Sequence, residues 1–183
     1  MRTRLDRTAY FVAAFRLLAD HGHDGLTIAA LCQYLGVTKG SFYHHFEDIS
    51  DFVDALLVHW TSEHQTGLSL LGEEVANADE RLDTLKGVAM SLPHGAEAAI
   101  RAWSWSNPSV AAVQKQVDED RMSHLARTAE NAGLSHERSR LLAKITMSVM
   151  VGMQQLDRPT NPAEIEEVFS QVRSWIFQSD WVA

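Results

Sequence analysis

Cysteine is nearly missing from this chain of 183 residues: Cys32 stands alone, so an intrachain disulfide is excluded and a reducing compartment is expected. Four prolines and the lack of strand-like alternation favour an all-α fold. No apolar run approaches the length of a membrane span, and the N-terminal MRTRLDRTAY has no apolar core of the kind that directs export. A cytoplasmic protein with no membrane partner is therefore expected. None of the nine histidines has another at i, i+4, there is no cysteine pair, and the Glu-x-x-His spacing of di-iron bundles is missing. Neither a metal nor another cofactor is expected. His21, His23 and Asp24 cluster in a short loop, where polar residues ordinarily cap or hydrate the chain. A serine hydrolase would need a strand-turn-helix elbow, for which neither strand nor motif is present. Internal repeats and low-complexity linkers are also lacking.

With 45% hydrophobic residues, the chain can bury one sizeable core with a small appended module. Its formal charge of -8 is unevenly placed. Residues 1–50 hold five basic side chains (Arg2, Arg4, Arg7, Arg16, Lys39) and five acidic ones (Asp6, Asp20, Asp24, Glu47, Asp48), so the whole excess lies downstream. Such a body repels phosphate, whereas the neutral head with its arginine arm does not.

The most informative segment is TIAALCQYLGVTKGSFYHHF, Thr27 to Phe46. Thr27 places an acceptor hydroxyl ahead of Leu31 and Leu35, the signature of a helix start followed by a buried face. Gly36 can take the left-handed conformation that stops this helix in a sharp turn, with Val37 packed beneath it. Thr38 can cap a second helix that buries Phe42 and Phe46 and leaves Lys39, Gly40, Ser41, Tyr43 and His44 at its start or on other faces. Cys32 falls where two crossing helices need a small packing residue. A plain helical hairpin would show the same break, but the hydrogen-bonding groups gathered on the first half of the second helix point to phosphate and base edges.

From Ala13 to Leu57, AAFRLLADHGHDGLTIAALCQYLGVTKGSFYHHFEDISDFVDALL resembles the N-terminal domain of the TetR/AcrR family of transcriptional regulators. The match covers about the first third of the chain. The resemblance implies a three-helix helix-turn-helix domain, residues 1–47, joined to a helical ligand-binding and dimerisation domain, residues 48–183. It implies DNA contacts from Arg4, Thr27, Thr38, Lys39, Gly40, Ser41, Tyr43 and His44. The sequence departs from the family after the recognition helix, where lysines are common but Glu47, Asp48, Ile49, Ser50 and Asp51 stand here. Asp48 and Asp51 read as an N-cap pair that stabilises the next helix and adds negative charge near DNA. Arg2, Arg4 and Arg7 could compensate as an arm.

Downstream the punctuation is helical throughout. A long helix from Ile49 to about Leu71 carries Val53, Leu56, Leu57 and Trp60 on one side and could act as a transmission rod. Helices are then expected over about Glu80–Ser91, Gly95–Ser106, from Asn107-Pro108 to Gly133, from Ser135, and from Asn161-Pro162 with Glu164. In the last helix Ile165, Val168, Phe169, Val172, Trp175 and Ile176 form an apolar stripe. The helix before it is apolar almost all round, with Leu142, Ile145, Val149, Met153 and Leu156 on one side and Met147, Met150 and Val151 towards others. A helix that must bury two faces suits a homodimer interface, for which Val149, Gly152, Phe169, Val172, Trp175 and Ile176 are the candidates, while Ser148 and Gly152 would allow a facing helix to approach closely.

For a ligand, Trp60, His64, Met90, Trp103, Met122 and Met147 supply adaptable apolar surface with a polar handle, suited to a small apolar or aromatic inducer. His94 and His124 could add polar contacts. The same large side chains could equally fill a core. Trp103 and Trp105 point about 200° apart on a helix and cannot share one pocket. The reading as a whole is a non-enzymatic, homodimeric, ligand-responsive repressor on a palindromic double-stranded DNA operator. The competing class is a helical-bundle enzyme or small-molecule carrier with a vestigial helix-turn-helix.

Overall fold

The computed structural model describes residues 5–69, 87–156 and 161–178. The fold is all-α, with no strand among the described residues. Contacts divide the chain into two compact units, Met1–His64 with Pro93–Gln114, and Gln65–Leu92 with Lys115–Ala183.

In the first unit, α1 (Arg7–His21) begins where the Asp6 carboxylate accepts a hydrogen bond from the Ala9 amide at 2.9 Å. Its buried face is Tyr10, Phe11, Ala13, Ala14, Leu17 and Leu18, the spacing of one helical stripe. A short 3-10 turn, His23–Gly25, leads to α2 (Ile28–Leu35), whose cap is Thr27: its hydroxyl accepts from the Ala30 amide at 3.1 Å. Gly36 ends α2 in the left-handed region (φ 64°, ψ 33°), and the Val37 amide closes the turn on the Cys32 carbonyl at 2.9 Å. A side chain at that φ would be strained, which is why this stop favours glycine. Then come α3 (Lys39–Tyr43) and α4 (Ile49–Ser69).

Phe42, Phe46 and Phe52 are buried with Tyr10 and Phe11 in one aromatic cluster. The rings of Phe46 and Phe52 meet edge-on at 4.9 Å, and Tyr10 meets Phe42 and Phe46 edge-on at 5.8 and 5.6 Å. Each such pair adds roughly 0.5–1.5 kcal/mol to the burial of its area. Val53 is half-buried, and Leu56, Leu57 and Trp60 continue the buried side of α4. The helix expected to reach Leu71 is described to Ser69.

The first unit is larger than the segment 1–47, because α5 (His94–Ser104), which buries Ala96, Ala98, Ala99 and Ile100, packs along α1. Small residues let the two backbones come together, and at Gly95 a Cβ would stand only 2.9 Å from the Ala19 Cβ. Asn107 caps the next helix, α6 (Pro108–Asn131), through its side-chain oxygen, which accepts from the Ser109 and Val110 amides at 3.0 and 3.1 Å.

In the second unit, α7 (His136–Leu156) and α8 (Pro162–Gln178) pack on each other. Asn161 accepts from the Ala163 amide at 3.0 Å at the start of α8. Met150, Met153 and Ile165 form the core there, with Ala89, Met90, Val149, Val168 and Phe169 against it. Residues 87–91 are helical, while the earlier part of the helix expected over Glu80–Ser91 lies outside the described residues. No helix among the described residues is long and apolar enough to cross a membrane.

Candidate nucleic-acid interface

The helix-turn-helix is held from three sides. Phe42 and Phe46 anchor α3 and the turn after it in the aromatic cluster. The Cys32 thiol on α2 points at the Thr38 carbonyl, 3.6 Å away, tying the two ends of the turn together. Burial pushes that thiol's pKa up, against a smaller downward pull from Lys39, so Cys32 stays protonated and can donate. Third, the Tyr10 hydroxyl donates to the Ser41 hydroxyl at 2.9 Å.

With the helix so fixed, Thr38, Lys39, Gly40, Tyr43 and His44 are exposed, Tyr43 to 56%. Ser41 is half-exposed and shared with Tyr10. Thr38 occupies the N-cap position with extended backbone, but its hydroxyl makes no capping bond; the turn is closed instead by the Ser41 amide on the Thr38 carbonyl at 2.9 Å. Thr27 is exposed with its hydroxyl committed to capping α2, and Arg4 lies outside the described residues. Arg7, expected in an N-terminal arm, opens α1 with its guanidinium over the Phe46 ring at 4.6 Å. The acidic pair is built as a cap: Asp48 accepts from the Ser50 and Asp51 amides at 2.8 and 2.9 Å, and Asp51 reaches back to the Glu47 amide at 3.0 Å.

Residues 11–56 match the model of the bacterial regulatory proteins of the tetR family. Through that segment the chain is similar to the tetR family of bacterial regulatory proteins. Over 61 residues it is 38% identical to the class D tetracycline repressor of Escherichia coli, a stretch that is 33% of this chain and 28% of the repressor. The chain thus spans little more than a quarter of that relative's length. Whole-chain likeness lies in the fold. A TetR transcriptional regulator from Legionella pneumophila superposes with a TM-score of 0.77 at 19% identity, covering 97% of this chain and 98% of that one. A regulator from Saccharomonospora viridis, solved in complex with choline, gives 0.73 at 17% identity over 93% of this chain and 94% of its own.

The candidate ligand residues fall in both units. Trp60 and His64 are buried in the first, where half-buried Trp103 stacks on His23 with ring centres 5.7 Å apart and planes 9° from parallel. Met90, Met122 and Met147 belong to the second, and Met90 packs on the Met150, Met153 and Ile165 core. His94 is buried, and half-buried His124 has its pKa lowered by burial and then by Arg127. Trp105, two residues past Trp103, is 91% exposed, as the helical angle requires.

Of the candidate dimer residues, Val149 and Phe169 are half-buried against the core of the second unit, and Val172 is buried. Gly152 is half-exposed, and a Cβ there would meet nothing within 4 Å. The side chains of Trp175 and Ile176 lie outside the described residues. Leu156, at the end of α7, is 83% exposed.

Three contacts around the helix-turn-helix carry no signal along the sequence: the Tyr10 to Ser41 bond, Arg7 over Phe46, and the α1–α5 packing. Asp6 ahead of an apolar-periodic run was a readable cap signal for α1. The other three join residues distant along the chain.

Proposed function

We propose that this chain is a DNA-binding transcriptional repressor that acts as a homodimer on a palindromic operator and is released by a small apolar or aromatic ligand. The observation that carries the DNA half is the exposure of Thr38, Lys39, Gly40, Tyr43 and His44 on a helix whose other face is locked by Phe42 and Phe46. A recognition helix needs this division: rigid on the core side, with hydrogen-bonding groups exposed on the groove side. Residues 1–47 act as the DNA-binding segment and 48–183 as the regulatory and dimerising body, in a cytoplasmic protein. Residues 1–50 sum to zero charge, so their basic groups approach DNA without a local excess of negative charge.

Association rests on α7 and α8. Leu141 and Leu156 on α7 remain exposed in a single chain, and Gly152 opens onto space that a facing helix could fill. Two copies related by a twofold axis would impose matching half-sites. The inducer reading draws on the choline complex of the Saccharomonospora viridis regulator, which shares this fold, and on Trp60 and His64 buried along α4. A gel shift with DNA flanking the protein's own gene is the test. A retarded complex that survives excess random DNA is expected, and a shift indistinguishable from random DNA would overturn the reading and favour a helical-bundle carrier or enzyme.

A further inference from the structure

We infer that Tyr10 is a positioning residue for DNA recognition: through its hydroxyl it makes Ser41 a committed hydrogen-bond donor at the DNA surface. This deepens the recognition-helix reading above and rests on it. Tyr10 is fully buried on α1, and its ring is packed against Phe42, His45 and Phe46 at 5.8, 5.6 and 5.6 Å. Its oxygen emerges beside α3, 2.9 Å from the Ser41 hydroxyl, across 31 residues of sequence.

A buried phenol proton left without an acceptor is costly, so it goes to Ser41. A serine hydroxyl has one proton and two lone pairs. Once a lone pair is taken from the protein side, the group that still needs a partner is the serine proton, and Ser41 is half-exposed on the recognition helix. Serine by itself reads donors and acceptors alike. With Tyr10 behind it, Ser41 favours acceptors: a phosphate oxygen, a purine N7, guanine O6 or thymine O4. Exocyclic amines of adenine or cytosine, which can use only the remaining lone pair, are the weaker match at that position. The same bond fixes the rotation of α3 about its axis, since Ser41 faces α1 while Tyr43 faces solvent.

The test uses the full chain and duplexes selected from a random-sequence library by the wild-type protein. Tyr10→Phe keeps the ring and removes the donor; Ser41→Ala removes the acceptor. Each should weaken binding to the wild-type-selected duplex about fivefold or more, the scale of one lost groove contact. The double variant should bind no worse than Ser41→Ala, and fresh selections with each single variant should relax the same position. Ser41→Thr, which keeps the hydroxyl, should restore both. Melting supplies a second reading: Ser41→Ala should lower the midpoint by stranding the phenol proton, and adding Tyr10→Phe should recover it. Independent losses that multiply, an unchanged motif at wild-type affinity for Tyr10→Phe, or uncoupled melting midpoints would overturn the assignment. If the wild type enriches no duplex at all, the recognition-helix reading itself falls, an outcome distinct from wild-type binding that ignores Tyr10.

Discussion

Gly95 on α5 faces Ala19 on α1 so closely that a Cβ on the glycine would lie 2.9 Å from the alanine Cβ and 3.4 Å from its Cα. The partner atoms belong to the backbone and its first carbon, so neither helix can yield by turning a rotamer. Gly95→Ala should gain up to about 1 kcal/mol of helix propensity and lose roughly 1–3 kcal/mol to the enforced separation, a net destabilisation. Thermal unfolding would show a lower midpoint, and Ala19→Gly combined with it should recover part of the loss. A Gly95→Ala protein as stable as the parent would mean that the α1–α5 contact is loose.

Asp48 holds two amides at the head of α4 and also carries charge close to the recognition segment. Those roles predict opposite signs. Asp48→Ala should destabilise the fold by about 0.5–2 kcal/mol through the lost cap. The same change should tighten DNA binding at low salt, because one repulsion from phosphate is removed. Parallel melting curves and salt-dependent binding measurements would check the pair; weaker binding together with lower stability would assign Asp48 a structural role alone.

Lys39 is the one lysine or arginine between Thr27 and Phe46, and it is exposed. Lys39→Ala should leave the melting midpoint unchanged and lower the slope of log K against log salt by about 0.9, the signature of one lost phosphate contact. Tyr43→Ala, at a 56% exposed ring, should weaken binding with little change in that slope. Unaltered affinity for both variants would move the DNA surface away from α3.

The capping residues were readable along the chain because each acts within a turn of its own position. Thr27, Asp48, Asn107 and Asn161 all accept the amides their spacing implied. Gly36 likewise takes the left-handed conformation that its place between two apolar patterns demanded. Trp103 and Trp105 part company because helix geometry sets their angle. Thr38 shows where local reading stops: it sits at the cap with its hydroxyl making no capping bond, since the backbone of Ser41 closes the turn. Ser41 stands in the sequence among the DNA-facing groups, yet its hydroxyl also accepts from the buried Tyr10. Contacts such as His23 on Trp103 or Gly95 on Ala19 exist only once α5 has docked on α1, and neither partner carries a periodic signal that names the other.

His124 is half-buried on α6, its Nε2 has no hydrogen-bond partner among the described residues, and burial followed by Arg127 holds its pKa below 6.5. The unfolded chain would take up a proton near the ordinary value of 6.5, whereas the fold resists until lower pH. Stability from this group is therefore complete above the unfolded pKa and is lost as pH falls through the folded one. Melting midpoints of the parent should decline as pH drops from about 7 towards 5, and His124→Gln should flatten that decline. Identical pH profiles would show that His124 stays neutral or exposed in both states.

Gly152 separates a dimer face from a monomer core in one substitution. Within a single chain its Cβ direction is empty to 4 Å, so Gly152→Ala should leave the protomer folded and even stabilise α7 by about 0.5–1 kcal/mol of helix propensity. If α7 of a second copy lies against that spot, the added methyl group holds the two helices apart and association weakens, more so for Gly152→Leu. Phe169→Asp attacks the same region differently: it places a charge where the parent side chain packs on Met150, Met153 and Ile165, so the fold and the dimer should fail together. Sedimentation velocity with circular dichroism distinguishes the two effects. A Gly152→Leu protein that remains fully helical and sediments as a tight dimer would place the interface on another surface.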